Sequence, residues 1–188
     1  MRSSNKAPAI NAGSTADIAF LLLIFFLVTT TLSNDKGIVR GLPEPCPVGA
    51  DCTTEHIERN VFRIVVGAEG DLLVNREIMP LSDLQHRIKE FVQNNGDGSC
   101  LYCFGKGSNA SSDNPKEAVL SLTTHRKAPY SVFIAVQDEI TAAYSELRSM
   151  YALRTFQKES GTLSEAEMEK TKNAFPFKLV EATFETRE

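Results

Sequence analysis

The sequence has no dense run of lysine or arginine, and its 20 basic residues are outnumbered by 24 acidic ones. Proteins that bind nucleic acid usually present a basic surface to the phosphate backbone. The net charge of -4 and the pI near 5.5 therefore give no support for a nucleic-acid partner. With 188 residues, the chain has room for one globular domain with appendages but not for two full domains.

Charge is also missing from residues 18–32, which contain no Asp, Glu, Lys or Arg. Extended back to residue 10, this apolar segment is just long enough for one helix across a hydrocarbon core of ~30 Å. A cleaved signal peptide is the alternative, because two basic residues precede the segment. Asp17 before the apolar run and the lack of an Ala-x-Ala-like site after it favour a retained anchor. We therefore predict a transmembrane helix at residues 10–32.

The N-terminal flank, residues 1–9, has basic but no acidic residues, whereas the other flank has mixed charges. This bias predicts a cytoplasmic N-terminus and places the rest of the chain in an oxidising compartment. No cysteine precedes the predicted span, and four follow it: Cys46, Cys52, Cys100 and Cys103. The distribution of the cysteines therefore agrees with the predicted orientation.

Sequence proximity favours two local disulfides, Cys46 with Cys52 and Cys100 with Cys103, among the three connectivities that four cysteines allow. A zinc site is an alternative, but only one Cys-x-x-Cys pair is present and no second one. A thioredoxin-type redox role has less support, because residues 100–103 lie in a Gly/Ser-rich stretch and not at the start of a helix.

Residues 33–60 contain three prolines without sustained periodicity, and we expect an extended linker there. Residues 61–188 predict a small α+β domain with two main helices on one sheet. The predicted elements are strands at 61–66, 72–75, 118–123, 130–136 and 177–184, and helices at 81–92, 140–153 and 162–172. Pro80 is expected to open the first of these helices, and Ser164-x-x-Glu167 predicts a capping box for the last. The strands at 118–123 and 130–136 are expected to form a hairpin. Residues 97–115, rich in Gly, Ser and Asn, form an excursion from the domain.

Asp17 is the residue most informative about function. A carboxylate at the centre of a membrane span costs ~2.5–3.5 kcal/mol and is usually kept for a purpose. On a helix that starts near Ile10, Asp17 lies ~10 Å inside the membrane boundary. An apolar environment favours the neutral form of an acid, which makes Asp17 a candidate to exchange protons. The alternative is that Asp17 caps a helix starting at Ile18. A functional Asp17 requires partner helices, because an isolated helix cannot shelter a charge.

Few other residues point to chemistry. The three histidines, His56, His86 and His125, have no suitably spaced Cys, Asp or Ser partners, and His86 is expected at the surface of a helix. We therefore predict no enzyme, no metal site and no cofactor. In the linker, four residues form a small apolar patch: Ile38, Val39, Leu42 and Pro43. This patch is a candidate docking strand, or else it continues the exit of the span into the headgroup region.

Ile10-Asn11 is followed by five residues, by Asp17 and by an unbroken apolar run that ends in a Thr/Leu patch. This pattern resembles the transmembrane signature of the ExbD/TolR biopolymer-transport family. The resemblance continues through Leu42-Pro43 and through the elements at 61–75, 81–92 and 130–153. The span is most similar to the ExbD branch of Bacteroidetes-type bacteria. Two departures stand out: Gly13-Ser14 replaces the Thr-Pro of many relatives, and both the 97–129 region and the tail after Gly161 are longer than in the compact family domain.

The resemblance implies a subunit of a proton-driven motor in the bacterial inner membrane, with Asp17 as the proton-carrying group. It implies a homodimer inside a pentameric ExbB-like channel ring and a periplasmic domain that engages a TonB-like energy transducer for outer-membrane transport. It also implies that the linker contacts its own periplasmic domain or the transducer. A TolR-like role in envelope integrity and a membrane-anchored binding or scaffold domain without an energy role are the alternatives.

Overall fold

The computed structural model describes residues 12–29 and 56–184, which belong to two compact units divided after Cys52. In the first unit, helix α1 (Ala12–Thr29) is apolar on every side, and side chains such as Leu27 and Val28 are each 69% exposed. Its 18 residues have a mean hydropathy of 2.0. At 1.5 Å per residue the helix is ~27 Å long, close to the thickness of a bilayer core. Within the described residues, α1 is the single helix long and apolar enough to cross a membrane.

The second unit is built on a five-stranded sheet in the order β3-β2-β1-β4-β5. Its strands are β1 (Val61–Val66), β2 (Leu72–Val74), β3 (Glu77–Ile78), β4 (Val119–His125) and β5 (Leu179–Phe184). Strands β1, β2 and β3 pair antiparallel, as expected for tight turns, whereas β4 lies parallel to both β1 and β5. The predicted strands at 61–66, 72–75 and 177–184 are confirmed, and the two-residue β3 was not predicted.

Among the described residues, three α-helices accompany the sheet: α2 (Leu81–Val92), α3 (Tyr130–Phe156) and α4 (Glu165–Ala174). Alternate residues of β1, Phe62, Ile64 and Val66, are buried against α2 and α3, while Arg63 between them is exposed. Alternation of this kind is typical of a sheet with one covered face. The core therefore lies between the sheet and the two longest helices of the unit, which confirms the predicted α+β class.

The predicted strand at 130–136 is wrong, because these residues form the first two turns of α3. Their aromatic and β-branched content favours a strand, but Val136, Ile140 and Ala143 are buried at helical spacing. Pro129 precedes the helix in an extended conformation, a position where its missing N–H costs nothing. The predicted hairpin of 118–123 with 130–136 is also wrong, because both edges of β4 are already paired with β1 and β5.

Helix α4 begins with the predicted capping box. Ser164 accepts a hydrogen bond from the Glu167 backbone N–H, and the Glu167 carboxylate accepts one from the Ser164 backbone N–H at 2.8 Å. Lys158 also donates to this carboxylate at 2.7 Å. The hydrogen bonds that the Glu167 carboxylate accepts, first of all that from Lys158, lower the pKa of Glu167 from 4.5 to about 2.

The excursion after α2 is fixed to the domain by buried polar contacts. The Asn60 side chain donates to the Asp113 carboxylate at 2.9 Å and accepts from the Asp113 backbone N–H at 2.8 Å. Asn94 donates to the carbonyl oxygens of Ser108 and Ser112, each at 2.8 Å. A Cβ at Gly105 would lie 2.3 Å from the Asn94 Cα, so only glycine fits this close approach.

Candidate functional site

Asp17 lies inside α1, five residues after the first described residue of the helix. It is therefore not the N-cap of this helix, and it is ~7.5 Å along the axis from Ala12. In the described part of α1 it is the single ionisable side chain. The hydroxyls of Thr15 and Thr29 donate to carbonyls of their own helix, at 3.0 and 2.8 Å, so they carry no comparable chemistry.

The residues before Asp17 in α1 are small, and those after Ala19 are bulky. The small ones are Ala12, Gly13, Ser14, Thr15 and Ala16. Small side chains let neighbouring membrane helices approach closely, and a carboxylate in that segment can then face protein instead of lipid. On the helix surface Asp17 shares a face with Phe20, Leu21 and Ile24. The chemistry available here is the binding and release of a proton by one carboxylate.

The other predicted site residues follow Asp17 in the sequence by 21 residues or more. The linker residues Ile38, Val39, Leu42 and Pro43, together with Cys46 and Cys52, lie outside the described residues. A disulfide joins Cys100 to Cys103, whose Cα atoms are 5.5 Å apart, in a turn of the excursion. In the part of the chain that the structure describes, no three His, Cys, Asp or Glu side chains are grouped so that they could hold a metal ion.

Tyr102, between the two cysteines, fastens the excursion to the C-terminal helices. Its hydroxyl donates to the Ala174 carbonyl at 2.9 Å, and its ring packs edge-on against Tyr151 and Phe175 at 5.1 and 5.5 Å. Burial raises the pKa of Tyr102, so its hydroxyl keeps its proton. The disulfide therefore closes a turn whose central side chain is a packing anchor.

A feature that the sequence did not reveal is a groove beside β1, α2 and the excursion. It consists of two cavities of about 390 and 480 Å³ that share Asn75, Phe91 and Ser111. We call it the basic groove, because five arginine and lysine side chains line it: Arg59, Arg63, Arg76, Arg87 and Lys106. These side chains come from separate segments, and no local motif connects them. A signal in the sequence was the outward-facing Arg63 within an otherwise apolar strand.

Two carboxylates, Glu58 and Glu90, also line the basic groove. Lys106 donates to Glu90 at 3.0 Å, and this hydrogen bond is the main cause of the lowered pKa of Glu90. His86 and Arg87 add weaker attraction at 3.7 and 3.9 Å. Glu90 therefore stays ionised and holds three basic side chains at one end of the groove.

Comparison with known proteins adds one finding. The chain matches the family model described as biopolymer transport protein ExbD/TolR over residues 3–148, which is more than three quarters of the sequence. The matched range contains α1, the linker, the excursion and the sheet strands β1 to β4. No curated protein matches the sequence. The match identifies the family and leaves the Bacteroidetes-type branch a prediction.

Proposed function

Because the chain belongs to the ExbD/TolR family of biopolymer transport proteins, we propose that it carries protons in an inner-membrane motor and that Asp17 is the proton-carrying group. Membership in the family makes it a single-pass inner-membrane protein of biopolymer-transport energy coupling, with ExbB-like and TonB-like partners. The observation that supports Asp17 is its place as the one ionisable side chain in the described part of α1, inside the helix and among small residues.

The proposal requires that other helices surround Asp17, because a lone carboxylate in lipid is costly. We propose two copies of this chain within a pentameric ExbB-like ring. The N-terminus then lies in the cytoplasm, and residues 56–184 lie in the periplasm, where they engage the TonB-like transducer. The disulfide between Cys100 and Cys103 supports this side of the membrane, since disulfides persist in oxidising compartments.

The energy available from each proton sets the scale of the motor. One elementary charge that crosses ~100 mV gains ~2.3 kcal/mol. A few protons per stroke therefore supply the work of pulling on a partner protein. In this mechanism Asp17 binds a proton from one side, loses its charge while it passes the apolar part of the ring, and releases the proton on the other side.

The test uses the full chain purified with its ExbB-like partner and reconstituted in liposomes that contain a pH-sensitive dye. Under an imposed membrane potential, Asp17→Asn is expected to abolish proton flux and yet to copurify with the channel ring. The amide is close in size and polarity to the protonated acid and removes only the titration. Thr29→Val is the matched control, because the Thr29 hydroxyl bonds within its own helix. Normal flux through Asp17→Asn would refute the assignment.

Experiments with a deletion strain distinguish the motor role from the scaffold role, and import from envelope integrity. If the chain were a periplasmic scaffold without an energy role, Asp17→Asn would restore a deletion strain as well as the wild type does. We propose import across the outer membrane as the process that is energised. Loss of energised uptake on deletion supports import, whereas intact uptake with increased sensitivity to detergents would identify a TolR-like role in envelope integrity.

A further inference from the structure

The basic groove has features that the proton-carrying role does not use. It lies in the second unit, and the domain around it is not basic, since the whole chain carries a net charge of -4. A cluster of cations on such a protein produces a local positive potential that attracts acidic ligands. The cations are exposed to solvent: Arg63 is 49% exposed, Lys106 83% and Arg76 89%.

The cations of the groove have more hydrogen-bonding capacity than their neighbours satisfy. Arg63 and Arg76 both point to the same oxygen of Glu58, at 3.2 and 3.9 Å. Each guanidinium has five N–H donors in a planar fork that suits a carboxylate. Exposed ion pairs of this kind are worth ~0–1 kcal/mol, so a ligand carboxylate can replace or join Glu58 at little cost.

Two other cations are less available to a ligand, one because it contacts a buried carboxylate and the other because it lies between two carboxylates. Arg59 lies 2.6 Å from the buried carboxylate of Asp113, and Arg87 lies between Glu77 and Glu90 at 3.6 and 3.9 Å. The capacity for a ligand is therefore largest on Arg63 and Arg76 at one end of the groove. At the other end Lys106 is 83% exposed and uses one of its three N–H donors for Glu90 at 3.0 Å.

The two carboxylates within the groove favour an acidic peptide over an evenly charged polymer as its ligand. A polymer with a charge on every unit would meet Glu58, which is 72% exposed, and Glu90 within the same groove. A peptide can place neutral residues at those points and at Phe91 and Ser111, where the two cavities join. Cations spread over two cavities also fit an extended ligand better than one compact phosphate group.

We propose that the basic groove is a docking site for an extended acidic segment of a partner protein, with carboxylates bound at Arg63, Arg76 and Lys106. Glu58 and Glu90 select against evenly charged polyanions. The proposal does not depend on Asp17, so it stands or falls separately from the proton-carrying role.

The test measures binding of a rhodamine-labelled peptide, (Glu-Ala-Gly)4, to the full chain in a nonionic detergent by fluorescence anisotropy. The triple variant Arg63→Gln/Arg76→Gln/Lys106→Gln is expected to bind about tenfold or more weakly, which corresponds to ~1.4 kcal/mol. Raising the salt concentration should also weaken binding to the wild type, because the contacts are exposed. The corresponding (Gln-Ala-Gly)4 peptide is expected not to bind.

The matched control, Lys127→Gln/Lys170→Gln/Lys172→Gln, removes the same charge from exposed positions outside the groove and is expected to bind like the wild type. Glu58→Gln, which adds no bulk, is expected to tighten binding about threefold. That variant keeps the test decisive even if the triple variant fails to fold. Equal weakening by both triple variants, weaker binding by Glu58→Gln, or tighter binding of inorganic polyphosphate than of the peptide would overturn the proposal.

Discussion

Asn60 and Asp113 form a buried contact that joins the start of β1 to the excursion, 53 residues apart in the sequence. Asn60 is 3% exposed and Asp113 is 6% exposed, so water has little access to either. Asn60→Ala would remove one hydrogen bond to a carboxylate and one to a backbone N–H, at 2.9 and 2.8 Å. The loss is ~1.5–3 kcal/mol for the bond to the charged group and ~1–3 kcal/mol for the unsatisfied N–H. We expect a destabilisation of about 3 kcal/mol or more.

The assay is urea unfolding of the full chain in a nonionic detergent, followed by near-ultraviolet circular dichroism of the tyrosines. Asn109→Ala is the matched control, because it makes the same chemical change at an exposed position of the excursion and should stay within ~0.5 kcal/mol of the wild type. Hydrogen exchange should show the largest loss of protection in peptides from residues 108–118, with little change in α4.

A double-mutant cycle separates the two hydrogen bonds. In an Asp113→Ala background, Asn60→Ala still removes the bond to the backbone N–H but no longer the bond to the carboxylate. The coupling energy is therefore expected to be ~1.5 kcal/mol or more. A cost below ~1 kcal/mol for Asn60→Ala, or the same cost in both backgrounds, would refute the reasoning from buried polar groups.

Two further predictions concern the loss of stability at acidic pH and the disulfide between Cys100 and Cys103. The pKa of Glu167 is lowered to about 2 by Lys158 and the capping box, so its stabilising contribution is present above pH 4.5 and is lost as the pH falls towards 2. In Glu167→Gln, the melting temperature should fall less between pH 6 and pH 2.5 than it does in the wild type. An equal fall in both proteins would contradict the assignment. In the denatured but unreduced protein, the peptide with Cys100 and Cys103 should resist thiol labelling and take two labels after reduction; labelling before reduction would reject this disulfide.

Local patterns in the sequence predicted the elements whose stability is mostly local. The Ser164-x-x-Glu167 pattern forms the capping box of α4, and Pro80 precedes α2 as predicted. At residues 130–136 the local sequence predicted the wrong element. Their composition is typical of a strand, but their buried contacts have helical spacing. There the packing of Val136 and of the rest of α3 against the sheet outweighs β propensity, which is a weak preference that depends on context.

The two candidate sites also differ in how far the sequence alone reveals them. Asp17 was recognisable from the sequence because its signal is a local sequence pattern, a carboxylate beside an uncharged apolar run. The basic groove was not recognisable, because Arg63, Arg76 and Lys106 come from a strand, a turn and the excursion. Only the pairing of β1 with β2 and the attachment of the excursion bring these side chains to one surface.

Residues 149–188 lie beyond the family match, and the segment after Gly161 was expected to be longer than in the compact family domain. In the structure this segment belongs to the sheet and the core, as the predicted strand at 177–184 implied. Strand β5 pairs with β4 over its whole length, Arg148 donates two hydrogen bonds to the Phe175 carbonyl at 3.0 and 2.8 Å, and Phe175 is 3% exposed. Tyr102 from the excursion contacts the same point. The excursion and the segment after Gly161 therefore pack against each other, so removal of either one alone would uncover the aromatic contact between Tyr102 and Phe175.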